Sequence, residues 1–70
     1  MDEVRVFYDR EGRTLTVWFG DPNEEQVCEE TADGVILMKD RHGTVIGFEK
    51  LNFSVAQPEN LHVTLETVTR

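Results

Sequence analysis

The sequence predicts a small, mainly β domain: one antiparallel β-meander sheet of five to six strands with little or no helix. Apolar residues recur with a period of two along most of the chain, and β-branched and aromatic residues carry this alternation. Clusters of turn-forming residues interrupt the alternation roughly every 8–12 residues, a spacing typical of small β folds. The 70 residues are enough for one domain, so residues 1–70 are treated as a single β domain.

The N-terminal part of the sheet is predicted to be a β-hairpin. Residues 4–8 and 14–19 each alternate apolar with polar side chains, as half-buried strands do. Between them lies a turn in which we expect Asp9 to accept backbone N–H groups and Gly12 to be available for a positive φ.

The remaining strands are predicted after a break at Pro22, which has no N–H for a sheet ladder. They are expected over residues 27–31, 35–38, 44–51 and 61–69. Gly47, in the middle of the fifth strand, indicates a β-bulge or a close neighbour. Single turns near residues 23–26 and 58–61 are the only helical candidates.

The size of the chain predicts self-association. At about 25 cal/mol per Å² of apolar surface, the gain from burial roughly equals an ordering cost of about 1.5 kcal/mol per residue. Cys28 is the only cysteine, which excludes a disulfide within the chain, and it has no zinc-ligand spacing with the two histidines. We therefore predict a homodimer or a tight complex.

The run Val35-Ile36-Leu37-Met38 predicts where the second subunit docks. Four consecutive apolar residues indicate a strand covered on both faces. The cover is either a second subunit, which we favour, or the chain itself folded as a small barrel or sandwich. Trp18 and Met38 are expected to share a sheet face with Phe7, Ile46 and Phe48, as a dimer interface, a monomer core or, less favoured, a ligand-binding patch. The candidate interface consists of Trp18, Ile36, Met38, Ile46 and Phe48.

The charge balance excludes nucleic acid as a direct ligand, because the net charge is −7 and the seven Lys and Arg residues are scattered. Six carboxylates without a basic residue among them form what we call the acidic stretch: Asp21, Glu24, Glu25, Glu29, Glu30 and Asp33. Three interpretations stay open. The stretch is a docking surface for a basic protein partner, a weak Ca²⁺ or Mg²⁺ site without EF-hand spacing, or a solvated edge that resists aggregation.

The sequence predicts no catalytic residues, no metal ligands and no cofactor, so we expect the protein not to be an enzyme. Glu29 and Glu30 are expected to raise the pKa of the neighbouring Cys28 thiol and weaken it as a nucleophile. The alternative is a small-ligand or enzymatic site formed across a dimer, for which Asp9, His42 and Glu49 would be tested first.

The chain is expected to be cytoplasmic and not bound to a membrane. It begins with Met1-Asp2-Glu3, which carries two acidic side chains, and no apolar segment of signal-peptide type follows. A lone thiol fits a reducing compartment. Its longest purely apolar run has four residues, too few to cross a bilayer.

Several motifs between Val4 and Leu51 resemble the DUF2283 family of small uncharacterised bacterial and archaeal proteins. They are Val6-Phe7-Tyr8-Asp9, Leu15-Thr16-Val17-Trp18-Phe19, Asp33-Gly34-Val35-Ile36-Leu37, Val45-Ile46-Gly47-Phe48-Glu49 and Leu51-Asn52. The resemblance implies a small β-sheet domain without an established activity. Some relatives look like neighbours of small toxin-like proteins, which makes an antitoxin-like role conceivable. Beyond the family-like residues 4–52, this chain adds the predicted strand at residues 61–69.

Overall fold

The protein is mainly β, as predicted. A computed structural model describes residues 3–69 and contains one antiparallel sheet of five strands. The strands are Arg5–Asp9 (β1), Thr14–Trp18 (β2), Val27–Glu30 (β3), Val35–Lys39 (β4) and Val45–Lys50 (β5). Three short 3₁₀ turns lie at Pro22–Glu24, Ala32–Gly34 and Pro58–Asn60, and two of them match the predicted helical turns. Among residues 3–69, no helix is long and apolar enough to cross a membrane.

The strand order is β1-β2-β5-β4-β3, so the sheet joins a hairpin to a three-stranded meander. A strictly sequential meander would place β3 beside β2, whereas here β5 takes that position. The loop between β2 and β3 therefore passes the ends of β5 and β4. Phe19 and Gly20 donate their N–H groups to the Ile46 carbonyl, and Gln26 donates to the Lys39 carbonyl. This path leaves β1 and β3 as the two edges.

The strand register assigns the side chains to two faces, because directly paired residues point to the same side of a sheet. The tryptophan face carries Phe7, Trp18, Ile36 and Met38, and the tyrosine face carries Val6, Tyr8, Leu15, Val17, Leu37 and Phe48. The prediction that Phe48 shares a face with Trp18 is wrong. Gly47 is the residue that pairs with both Trp18 and Met38, and its neighbour Phe48 consequently points to the other side.

Gly47 lies close against Trp18 and Val17 and also lies at a β-bulge. Both the close neighbour and the bulge that the sequence indicated are therefore confirmed. A Cβ at this position would lie 2.7 Å from Trp18 Cε3 and 2.7 Å from the Val17 carbonyl oxygen, so the indole ring covers the glycine. The register between β4 and β5 shifts next to it, at Met38 and Lys39. Within residues 3–69, Met38 (5% exposed) and Ile46 (7%) are the only buried apolar side chains.

The β1–β2 turn follows the prediction for Asp9 and departs from it for Gly12. Asp9 Oδ1 accepts the Gly12 N–H at 3.0 Å. The positive φ, however, belongs to Arg13 (54°), and Gly12 is needed for another reason. A Cβ on Gly12 would lie 2.7 Å from Asp9 Oδ2, so glycine allows the Asp9 carboxylate to approach the backbone.

The chain that follows β5 covers part of the tyrosine face. Phe53 donates its N–H to the Arg13 carbonyl at 2.9 Å, and its ring meets Tyr8 edge to face with centroids 5.7 Å apart. Val55 donates its N–H to the Tyr8 hydroxyl at 3.3 Å. These contacts tie residues 53–55 to β1 and β2 and leave the tryptophan face uncovered by this segment.

The predicted strand at residues 61–69 is wrong, because these residues form no strand. The segment keeps its alternating pattern, and Val63, Leu65 and Val68 are 68%, 75% and 74% exposed. A β-prone sequence becomes a strand only when another strand pairs with it. Here all five strands of the sheet are completed before residue 51.

The chain exposes more surface than a self-contained domain of its size. Its accessible surface is 5802 Å², whereas a compact protein of 8.1 kDa exposes about 4,500 Å². The Cα radius of gyration is 13.4 Å, against about 11 Å for a compact domain of this length. Val35, Ile36 and Leu37 are each only half-buried, so one chain covers neither face of this strand completely.

Candidate functional site

The acidic stretch follows one edge of the sheet. Asp21 lies just before the turn that precedes β3, and Glu24 lies within it. Glu29 and Glu30 lie on β3, and Asp33 lies in the turn that follows. A turn, a short strand and a second turn thus place all the carboxylates along the β3 side of the molecule. Of the six, Glu25 alone is half-buried and the other five are exposed.

Each turn at this edge holds its acid by local geometry. Asp21 Oδ1 accepts the Asn23 N–H at 2.9 Å and so starts the 3₁₀ turn at Pro22. Asp33 has a φ of 67°, a conformation that aspartate tolerates better than most residues. The Lys50 ammonium donates to the Asp33 carbonyl at 3.3 Å. This contact fixes the turn without neutralising the carboxylate.

One ion pair forms in the acidic stretch within residues 3–69. Lys39 Nζ lies 3.2 Å from Glu29 Oε1, and both side chains are partly exposed. Such a pair contributes less than about 1 kcal/mol, because water screens it. The edge therefore keeps an excess of negative charge.

Cys28 lies in the middle of this edge as an exposed thiol on β3, which matches the predicted edge position. Its S–H donates to a Glu25 carboxylate oxygen. This hydrogen bond, followed by slight desolvation and the charges of Glu25 and Glu49, raises the pKa of Cys28. The predicted direction agrees, but the predicted cause is wrong, because Glu29 and Glu30 do not contribute. Neighbouring side chains on a strand point to opposite faces, so Glu29 points away from the thiol.

The contact between Glu25 and Cys28 is one that sequence reasoning missed. The two residues are three positions apart, and Glu25 ends the turn that precedes the strand. Gln26 and Val27, which lie between them, are not turn-forming residues, so the sequence has no local signal for this contact.

The carboxylates do not converge on one point. Within the described residues, no group of three or more His, Cys, Asp or Glu side chains is placed to hold a metal ion. The alternative of a weak Ca²⁺ or Mg²⁺ site therefore has no geometric support from residues 3–69, and the acidic stretch is an extended surface.

The residues of the candidate interface are only partly brought together. Trp18, Ile36 and Met38 lie on the tryptophan face, as predicted. Ile46 is buried beside the bulge, where a Cβ on Gly20 would lie 2.7 Å from its own Cβ. Phe48 lies on the tyrosine face, so these five residues do not form one continuous patch.

The three residues proposed for a site across a dimer are apart within one chain. Asp9 lies at the end of β1, and its carboxylate is used by the turn. Glu49 Oε2 accepts the Thr16 hydroxyl at 3.3 Å in the middle of the sheet. His42 is exposed in the β4–β5 turn, at the end of the sheet opposite Asp9, and its Nε2 accepts from Arg41 Nε at 3.3 Å.

These observations define a class of protein: a small antiparallel β domain with one acidic edge and two incompletely covered faces. The model of a family described as "Protein of unknown function (DUF2283)" matches residues 5–54, and the chain belongs to this family. The match confirms the resemblance drawn from the sequence motifs. No curated protein and no solved structure matches the chain.

Proposed function

We propose that this protein is a non-enzymatic interaction module that works as a homodimer and presents its acidic stretch to a basic protein partner. The observation that carries this proposal is the placement of six carboxylates along one edge, of which one is paired with a lysine in the described part of the chain. Charges of one sign on an exposed surface accelerate the encounter with an oppositely charged partner and orient it.

The shape of the edge supports a protein partner rather than a small ligand. The carboxylates extend over two turns and a strand, a surface that matches several basic side chains at once and no single small molecule. An antitoxin-like protein is the special case of this proposal in which the basic partner is a small toxin.

A charge-neutralisation experiment tests the proposal. The chain is immobilised and exposed to cell extract at low salt, and a captured basic protein is then identified, purified and titrated. Binding is expected to weaken steeply between low and high ionic strength, because exposed charges are screened within about 10 Å at 0.1 M salt.

The decisive variant is Glu24→Gln/Glu29→Gln/Glu30→Gln, which removes three charges from the acidic stretch. The matched control, Glu11→Gln/Glu59→Gln/Glu66→Gln, removes three exposed carboxylates outside it. We expect the first variant to lose at least tenfold in affinity and the control to bind like the original chain. Equal losses in the two variants, or binding that is insensitive to salt, contradict the proposal.

A further inference from the structure

The β1 edge is an open sheet edge with features that favour pairing. Its only strand partner in the described chain is β2, so one side of its backbone faces away from the sheet. Phe7 is 47% exposed in the middle of the strand, and Val4, just before it, is 54% exposed. The strand has no proline and no lysine, the residues with which proteins commonly block an exposed edge.

The charges of β1 are complementary to those of the same strand in a second copy. In an antiparallel pair centred on Phe7, the Phe7 side chains of the two copies lie opposite each other. Arg5 then lies opposite the partner's Asp9, and Asp9 lies opposite the partner's Arg5. Opposite charges in directly paired positions stabilise a sheet, and like charges destabilise it.

The register centred on Phe7 is also the one that pairs the whole strand. β1 has five residues with Phe7 in the middle, so every residue of one copy meets one of the other. A twofold axis through this point and perpendicular to the sheet keeps each face on its own side. Val6 then meets the partner's Tyr8 and extends the tyrosine face across the seam. Centring on Val6 instead would place Glu3 opposite the partner's Asp9, two like charges.

We propose that two copies of this chain pair β1 with β1 in the antiparallel register centred on Phe7. The product is one continuous sheet with five strands from each copy, and both acidic stretches lie at its far ends. This inference rests on the homodimer of the proposed function and specifies its seam. It leaves both β3 edges free for a basic partner.

The other edge is a poorer seam. β3 carries Glu29 and Glu30 and no basic residue, so a second copy of this strand would add negative charge without a positive charge to compensate it. β1, by contrast, carries one charge of each sign.

A disulfide experiment tests the register. In the variant Cys28→Ser/Phe7→Cys, the introduced thiols of two copies lie directly opposite. Such residues have Cα atoms about 4.5–5.5 Å apart, within the range a disulfide spans. The original chain, with its single thiol on β3, is the matched control. We expect mild oxidation to convert most of the variant, and little of the control, into a covalent dimer.

A charge-exchange experiment tests the pairing of Arg5 with Asp9. Arg5→Asp places two carboxylates opposite each other at both ends of the seam and is the decisive variant. Asp9→Arg places two arginines there but also removes the acceptor of the Gly12 N–H in the turn. Each variant alone is expected to be monomeric at a concentration at which the original chain is dimeric. An equimolar mixture should form the heterodimer, because each introduced charge then faces its opposite. Arg41→Asp makes the same charge change in a turn far from β1, and we expect it to remain dimeric.

The outcomes separate this inference from the proposed function. An original chain that sediments as a monomer at 100 μM contradicts both the homodimer and the seam. A dimer that survives Arg5→Asp and gives no disulfide through Phe7→Cys refutes the β1 seam alone. A dimer lost in Val63→Lys/Leu65→Lys but not in Arg5→Asp would instead assign the seam to the C-terminal segment. Circular dichroism of each variant confirms that the sheet is intact.

Discussion

The two edge strands of the sheet, β1 and β3, both leave backbone groups unpaired in the described chain but carry very different side chains. Within residues 3–69, both β1 and β3 have a row of backbone groups without a neighbouring strand. On β3, two consecutive glutamates stand between acidic turns, and all four residues are exposed. On β1, an arginine and an aspartate flank an exposed phenylalanine, and alternate residues are half-buried.

In the proposed dimer, this difference gives the two edges different tasks. The negative charge on β3 would disfavour a second copy of this strand and attract a basic surface. On β1 the two charges compensate each other, and the proposed register sets Arg5 opposite the partner's Asp9. The comparison holds only if β5 keeps the hairpin and the meander in one sheet, and this condition can be tested first.

Gly47→Ala is expected to have the largest effect, because it disrupts the strand that joins the two edges. The added Cβ would lie 2.7 Å from both the Trp18 ring and the Val17 carbonyl oxygen. A backbone oxygen cannot move aside like a side chain, so we expect a loss of about 3 kcal/mol in the free energy of unfolding. Chemical denaturation measures it. Thr44→Ala, at an exposed site in the β4–β5 turn, is the control and should change stability by less than about 0.5 kcal/mol.

Phe53→Ala is expected to weaken the β1 side of the sheet and leave the β3 side unchanged. It removes the edge-to-face contact with Tyr8 and part of the cover on the tyrosine face. We expect a loss of about 2 kcal/mol. Hydrogen exchange should become faster at the β1 amides and stay the same at the β3 amides. Phe19→Ala removes an exposed ring elsewhere and should show neither effect. Equal acceleration at both edges would mean that the edges are not independent.

The existence of the strands could be predicted from the sequence, because alternation and turn chemistry are local. The hairpin, the Asp9 turn and the bulge at Gly47 all follow from residues within a few positions of one another. The strand order could not, since it depends on the pairing of β2 with β5, strands separated by some 30 residues. For the same reason, the sequence did not indicate that β1 is an edge.

The errors concern register and pairing. Alternation within β5 does not state which residue lies opposite Trp18, so it predicts the wrong face for Phe48. Residues 61–69 have the composition of a strand but pair with no strand among the described residues. At the acidic stretch, the sequence indicates the carboxylates but not the contact of Glu25 with Cys28, because this contact depends on the path of the chain after the Pro22 turn.

The β4–β5 turn and the β1–β2 turn should also differ in how much they contribute to the free energy of unfolding. In the β4–β5 turn, Asp40 Oδ1 accepts the N–H groups of His42 at 2.8 Å and Thr44 at 3.0 Å. In the β1–β2 turn, Asp9 accepts one N–H group. We expect Asp40→Ala to cost about 1.5 kcal/mol and Asp9→Ala about 1 kcal/mol. Thermal denaturation of the two variants measures this order, and a reversed order would show that the number of hydrogen bonds does not determine turn stability here.

The smallest expected effect concerns the chemistry of the β3 edge. The hydrogen bond from the Cys28 thiol to Glu25 raises the pKa of the thiol, so less thiolate is present at a given pH than in a free cysteine. Because the thiolate is the reactive form, alkylation by iodoacetamide should accelerate only at a higher pH than for a model thiol. Glu25→Gln removes the charged acceptor, lowers the pKa of Cys28 and shifts the rate profile to lower pH.

Glu29→Gln is the matched control for this shift, because it removes the same charge from the residue next to Cys28. Its side chain points to the opposite face and pairs with Lys39, so we expect the pH profile of alkylation to stay where it is. If Glu29→Gln shifts the profile as much as Glu25→Gln does, the thiol senses the overall charge of the edge. If Glu25→Gln alone shifts it, the edge has a defined local geometry, which is what a docking surface needs in order to orient its partner.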